Sequence, residues 1–255
     1  MRTEGRVVLV TGGAGGIGLA LVDRFLAGGC SVVICGRSVG PLAAAQARFP
    51  AVATVRADVS TAAGRAAVRQ HLEQHHGRLG ILINNAAIHV VHDFTDPVHT
   101  APEIEDEIAT NLVAPIRLGM ELMPLLRAEA DAAIVNISST LAIVPKRTAP
   151  LYCATKAALH AFTTALRGQF EGTPIRVFSV ITPQVETPMT AGRGRRKMTA
   201  ERFAELLVQG LAADVLEMRP GASARLMRLH AHNPRAAELL VRRMTEPLPP
   251  ERNAP

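Results

Sequence analysis

Short apolar runs alternate with longer helix-length segments along this chain. The apolar runs fall at 7–11, 31–35, 53–57, 81–84, 133–138 and 176–181. Each is nearly continuous rather than alternating, the pattern of a strand buried on both faces of a parallel sheet. Helical segments lie between them at 17–27, 39–48, 61–76, 103–128 and 152–170. This order predicts βαβ units with helices on both faces of one sheet. The predicted fold class is therefore α/β: a single-domain Rossmann fold, a doubly wound parallel sheet flanked by helices. No Pro/Gly/Ser-rich linker and no repeat interrupts it, so 1–240 reads as one domain. Within it, 187–232 is expected to be a substrate lid and helical cap, with helices near 200–217 and 222–232. The stretch 241–255, with Pro247, Pro249, Pro250 and Pro255, reads as a flexible tail.

Composition narrows the function without naming it. Hydrophobic residues make up 48% and charged residues 20% of 255 residues, as in a soluble globular protein. The apolar runs are far too short to span a bilayer, and no signal-peptide core is visible, so no membrane partner is expected. The three cysteines, Cys30, Cys35 and Cys153, lack metal-ligand spacing, and no metal is expected. Their odd number fits reduced thiols and a cytoplasmic location. The net charge is +6, but the arginines are scattered among Ala and Leu with no basic run interleaved with aromatics. No nucleic-acid partner is expected. Arg-rich, Lys-poor usage suggests a bacterial genome of high GC content.

The chemistry begins where the first strand ends. Thr11-Gly12-Gly13-Ala14-Gly15-Gly16-Ile17-Gly18 joins a buried strand to a helix. Glycines permit close approach to a pyrophosphate, and the helix start offers N–H donors and a positive dipole end. After the second strand, Gly36-Arg37-Ser38 stands where an NAD-binding fold would place a carboxylate. Arg37 suits a 2′-phosphate and Ser38 adds a hydroxyl donor, which favours NADP(H) over NAD(H). Asp58, followed by Val59 after the third strand, either accepts from an adenine amino group or caps the helix starting near Thr61. Asn84, Asn85, Ala86 and Ala87 close the fourth strand, where amides can tie strands together and line a cofactor cleft. Asn111 sits mid-helix, an unfavourable place for Asn that hints at a site role. Ser139 ends the fifth strand, thirteen residues before Tyr152.

Tyr152 is the only tyrosine of the chain, and there is no tryptophan. Lys156 follows one helical turn later, on the same face. A cation beside a phenol favours the phenolate, so Lys156 is expected to lower the Tyr152 pKa and make it a general acid/base. His89 and His92 follow the fourth strand and are candidates for the pocket wall. Lys146, Arg147, Arg193, Arg195, Arg196 and Lys197 form either a solvated charged surface or a basic rim that attracts an anionic substrate.

Taken in order, these residues resemble the short-chain dehydrogenase/reductase family across roughly 5–190, and look most like its bacterial DltE-type oxidoreductases. Thr11-Gly12-x-x-x-Gly16-x-Gly18 is similar to the family's glycine motif. Asn84-Asn85-Ala86-Ala87 resembles its Asn-Asn-Ala-Gly motif, with Ala87 in place of glycine. Asn111, Ser139, Tyr152 and Lys156 match its catalytic tetrad. Pro183, Val185 and Thr187 belong to a segment resembling the one that holds the nicotinamide carboxamide, with Gln184 for glycine and the threonine one residue early. The family's final strand ending in Asp-Gly-Gly is missing from the sequence.

The resemblance implies an NADP(H)-dependent transfer of hydride to or from a carbonyl or secondary alcohol of a small molecule. Tyr152 would be the proton donor and Ser139 the substrate-oxygen ligand. Lys156 would bind the nicotinamide ribose, and Asn111 would support a water-linked proton path. It also implies a homodimer or homotetramer. The competing readings are a non-catalytic dinucleotide sensor or scaffold, and an epimerase or dehydratase on the same fold.

Overall fold

Successive strand residues face opposite sides of a sheet, so the run Val7, Val8, Leu9, Val10 needs apolar partners on both sides. It has them. In this computed structural model, which describes residues 1–91, 94, 101–192 and 197–245, Val8 and Val10 pack into one core and Val7 and Leu9 into another. The same split continues along the sheet, with Ile34, Ile83, Val135 and Val180 on one side and Val33, Leu82 and Ile134 on the other.

Among the described residues seven strands form the sheet: β1 (Val7–Thr11), β2 (Ser31–Gly36), β3 (Ala53–Arg56), β4 (Ile81–Asn84), β5 (Ala132–Ser139), β6 (Ile175–Thr182) and β7 (Glu217–Met218). All pairings are parallel, in the order β3-β2-β1-β4-β5-β6-β7. The order reverses between β1 and β4, and ligands of such sheets bind beyond the strand C-termini at that point. The first core is closed by α1 (Gly16–Ala27), α2 (Val39–Arg48) and α8 (Ala200–Ala212), through Phe25, Leu42 and Phe203. The second is closed by α3 (Ala62–His75), α5 (Ala114–Glu121) and α6 (Met123–Arg127), through Leu72, Leu118 and Leu126. Helices α4 (Ala101–Ile108) and α7 (Pro150–Gln169) complete that side.

Three expectations change. The single helix over 103–128 is broken: a π-helical turn, Ala109–Val113, separates α4 from α5, and Pro124 stands at the start of α6. The helix near 200–217 stops at Ala212, where Asp214 takes a left-handed φ of 54°, and the chain then forms β7. A seventh strand therefore exists, two residues long and without the Asp-Gly-Gly ending. The tail boundary at 241 is too early. Helix α9 (Ala222–His232) is followed by α10 (Pro234–Thr245), which buries Ala237 and Val241 against Met227, Ile181 and Val144. Asn233 starts α10 by accepting from the Ala236 N–H at 3.0 Å. Residues 246–255 lie outside the described residues.

The β6 edge is covered only in part by β7, which pairs through Ser179 and Val180. Next to it the Arg167 guanidinium, reaching from α7, donates to the Val177 carbonyl at 3.0 Å and to the Leu216 carbonyl at 2.9 Å.

Candidate active site

At the switch point the β1–α1 turn is held from β4. Asn85 Nδ2 donates to the carbonyls of Thr11 at 2.9 Å and Gly12 at 3.2 Å. The N–H groups of Asn85 and Ala86 donate to Thr11 Oγ1 at 3.0 and 2.9 Å. Gly12 and Gly16 have φ of 62° and 52°, where a side chain is strained. A Cβ on Gly18 would stand 2.4 Å from the Gly12 carbonyl oxygen, so helix and turn touch backbone to backbone. A Cβ on Gly15 would meet nothing within 4 Å. The turn thus opens a bare backbone surface and a helix N-terminus to solvent, the arrangement that receives phosphate groups.

This turn forms one end of a cleft of about 970 Å³. Gly12, Gly16, Ile17, Arg37, Ser38, Asn85, Ala86, Ser139, Tyr152, Lys156, Pro183, Val185 and Thr187 all line it, so most of the predicted site converges. Arg37 and Ser38 are exposed at the end of β2. No carboxylate lines the cleft among the described residues, while Arg37, Lys146, Lys156 and Arg225 do. Thr11 and Gly18 support the turn from below. Asp58 and Val59 are not on the wall. Asp58 Oδ1 accepts from the Ser60 N–H at 3.0 Å and its hydroxyl at 2.7 Å, and the cap of α3 is Thr61, which accepts from Gly64 N at 3.0 Å. The capping alternative for Asp58 is thereby excluded.

Ser139 ends β5, and Tyr152 and Lys156 stand one turn apart on α7. The Ser139 side chain faces the Tyr152 hydroxyl and favours its ionised form. The His89 ring meets the Tyr152 ring edge-on, with centroids 4.7 Å apart. Lys156 Nζ lies 5.8 Å from the Tyr152 ring centre and donates to the Ile137 carbonyl at 2.9 Å. Ser138 fastens α7 to β5 by donating to the Lys156 carbonyl at 3.3 Å.

The electrostatics differ from the expectation that Lys156 lowers the Tyr152 pKa. Burial pushes the phenol up to about 12, with the Ser139 hydrogen bond opposing it and Cys153 and Glu107 adding to it. Burial also pushes the ammonium down to about 8, against the pull of Glu107. In both groups the largest cause is desolvation, which penalises the charged form.

A stability consequence follows. A lysine with a depressed folded-state pKa binds fewer protons folded than unfolded between about 8 and its ordinary 10.5. Its destabilising contribution is therefore full below pH 8 and relieved as pH rises. In urea titrations without cofactor, the stability of the wild type relative to Lys156→Met should rise from pH 7.5 to 9.5, by at most about 1.4 kcal/mol per pH unit. The difference cancels the buried thiols, whose raised pKa values act in the opposite direction. A flat difference would show that Lys156 keeps its ordinary pKa.

Asn111 is buried behind the wall, in the π-helical turn. Its Nδ2 donates to the Ile88 carbonyl and its Oδ1 accepts from the Ile88 N–H, both at 2.8 Å. The same Nδ2 is 3.3 Å from Thr155 Oγ1 and 3.5 Å from Glu107 Oε1. The extra residue of a π turn re-aims a side chain, and here it turns Asn111 onto the segment that carries His89. Asn84 ties β4 to β5 through Asn136 Oδ1 at 2.8 Å, the strand-linking role foreseen for these amides.

Sequence reasoning missed the fully buried Glu107. It is one of four acids between 103 and 107, and nothing in the pattern singles it out. Also missed were Leu226, Leu229, Leu240, Val241 and Met244, which wall the cleft from α9 and α10. Their spacing of three and four residues is a legible helical stripe. In the lid, Lys197 Nζ donates to the Thr190 carbonyl at 2.6 Å, while His92, Arg193, Arg195 and Arg196 lie outside the described residues. Among the described residues no helix is long and apolar enough to cross a membrane, and no group of three His, Cys, Asp or Glu is placed to hold a metal.

The chain belongs to the short chain dehydrogenase family, whose model matches residues 6–197. It is thus an NAD(P)-dependent oxidoreductase of small molecules. Its relatives include the uncharacterized oxidoreductase DltE of Bacillus subtilis (strain 168), 36% identical over 217 residues, 83% of this chain and 86% of that one. Among solved structures it is similar to the RhlG/NADP active-site complex of Pseudomonas aeruginosa, with 30% identity, a TM-score of 0.69 and coverage of 73% of this chain and 75% of that one. It is also similar to L-sorbose reductase from Gluconobacter frateurii complexed with NADPH and L-sorbose, with 26% identity, a TM-score of 0.74 and coverage of 81% and 89%.

Proposed function

We propose that this protein interconverts a small-molecule ketone or aldehyde and its alcohol, using NADP(H), with Tyr152 as the general acid/base. The observation that carries this reading is the convergence of Ser139, Tyr152 and Lys156 in the same cleft as the glycine turn. The residues fit a dinucleotide: a backbone cradle at Gly15, a helix N-terminus and no carboxylate on the wall among the described residues. The turn and the α1 N-terminus would hold the pyrophosphate. Arg37 and Ser38 would hold the 2′-phosphate, Lys156 the ribose, and Pro183, Val185 and Thr187 the carboxamide. When bound, the cofactor supplies or accepts the hydride. Ser139 orients the substrate oxygen. In reduction Tyr152, protonated at neutral pH, gives its proton to that oxygen as the C=O bond becomes C–O. Lys156, near its titration midpoint at mildly alkaline pH, is placed to restore the proton balance. Asn111 acts as a positioning residue, by holding Ile88.

The direct test mixes the protein with NADPH and a panel of ketones and aldehydes and follows loss of reduced-nicotinamide absorbance. Loss that depends on the carbonyl compound supports the reading. Binding of cofactor without consumption on any carbonyl would sink it.

The preference for NADP(H) rests on Arg37, which has no ion pair among the described residues, and on the NADP(H) bound in the two related structures above. Arg37→Glu should lower kcat/KM for NADPH by about 10- to 100-fold, the loss of a charge-assisted bond, and leave NADH much less affected. Equal losses with both cofactors would remove the 2′-phosphate from the account.

A further inference from the structure

The substrate end of the cleft is built by the α9–α10 hairpin, and its wall is mainly apolar, with Arg225 its one charged residue from the hairpin. Leu226 and Leu229 from α9, Leu240, Val241 and Met244 from α10, and Met189 from the segment after β6 line it together. Three of them are open to solvent: Met189 is 41% exposed, Leu240 39% and Met244 45%. Apolar side chains left exposed side by side in a concave wall mark a surface that a ligand covers.

Two hydroxyls on this wall are already engaged, while Arg225 of α9 stands exposed on it. Ser223 Oγ donates to the Pro220 carbonyl at 2.7 Å and is fully buried. Thr190 Oγ1 donates to the Val185 carbonyl at 2.5 Å. A substrate rich in hydroxyls would lose its water here and find few partners beyond Arg225, which is costly. An alkyl chain would lose only apolar hydration, which is favourable. The wall is also continuous with Leu141, Ser139 and Tyr152, so a chain lying on it is joined to a carbonyl at the reacting end.

We propose that the substrate carries an extended apolar chain, with its carbonyl at Ser139 and Tyr152 and its tail along the α9–α10 hairpin. This rests on the reductase reading above. The test separates the two ideas. Dissociation constants of straight-chain methyl ketones, from 2-butanone to 2-undecanone, are measured by calorimetry on the protein saturated with NADP⁺. The oxidised cofactor cannot reduce a ketone, so binding is read without turnover. Each methylene should lower the dissociation constant by about two- to fourfold until the wall is filled, the upper figure corresponding to full burial of a CH₂. The double variant Leu240→Gln/Met244→Gln changes two exposed positions and should flatten this trend. The same series is then assayed with NADPH.

Dissociation constants independent of chain length, with the short ketones reduced, overturn the apolar tail and keep the reductase. Tightening with chain length without reduction of any ketone keeps the tail site and removes the reductase. A trend unchanged in the double variant overturns the placement on the hairpin.

Discussion

Replacing Tyr152 by Phe should lower kcat for carbonyl reduction by about 10²- to 10⁴-fold, the usual worth of a positioned general acid. Cofactor affinity should change little. The ring is retained, so the edge-on contact with His89 and the packing of α7 survive, and only the hydroxyl facing Ser139 is lost. The wild-type phenol is held up at about 12 by burial, so it carries its proton throughout the neutral range and is a ready donor in the reducing direction. Steady-state kinetics with NADPH, paired with a cofactor titration, check both halves. Turnover within tenfold of wild type would mean that the proton comes from elsewhere, and the mechanism proposed for this site would fall.

The second large effect lies in the glycine turn. Gly18→Val places a Cβ 2.4 Å from the Gly12 carbonyl oxygen, 2.8 Å from Gly13 Cα and 3.0 Å from Asn85 Nδ2. Two of these are backbone atoms that cannot rotate aside, so the turn must open and Asn85 must release it. Thermal unfolding should show a loss of about 3 kcal/mol, the upper range for overpacking, with cofactor affinity falling by about 10²-fold. Gly15→Ala is the informative partner. Its Cβ meets nothing, so stability should stay within about 0.5 kcal/mol of wild type. Cofactor affinity should nevertheless drop, because the methyl group occupies the surface a pyrophosphate approaches. Unchanged affinity in Gly15→Ala would place the dinucleotide elsewhere.

The sheet was legible because β1, β2, β4, β5 and β6 are buried on both faces, and such strands must be apolar throughout. The convergence of Ser139, Tyr152 and Lys156 was legible because each sits next to a boundary visible in sequence, a strand end or a helix start. What escaped was set by contacts between distant segments. The break at Ala109–Val113 exists to turn Asn111 onto Ile88, a partner 23 positions away, and no periodicity announces it. Pro115 and Pro124 were visible breaker signals inside the stretch read as one helix. β7 is too short to show alternation. Helix α10 carried its own start signal, Asn233-Pro234, but the prolines beyond 246 drew the boundary inward. The direction of the Tyr152 shift depended on how much water the folded chain excludes, a property of the whole cleft rather than of a pentapeptide.

The way β6 ends the sheet bears on how copies of this protein can meet. An uncovered strand invites a strand from another molecule, which is how soluble sheets grow into aggregates. Here the margin is a two-residue strand followed by a guanidinium on the Val177 carbonyl, so an incoming backbone would find that acceptor already engaged. The opposite margin, β3, is only four residues long and finishes in an exposed arginine. Both rims of the sheet therefore offer only a short stretch of backbone to an incoming strand.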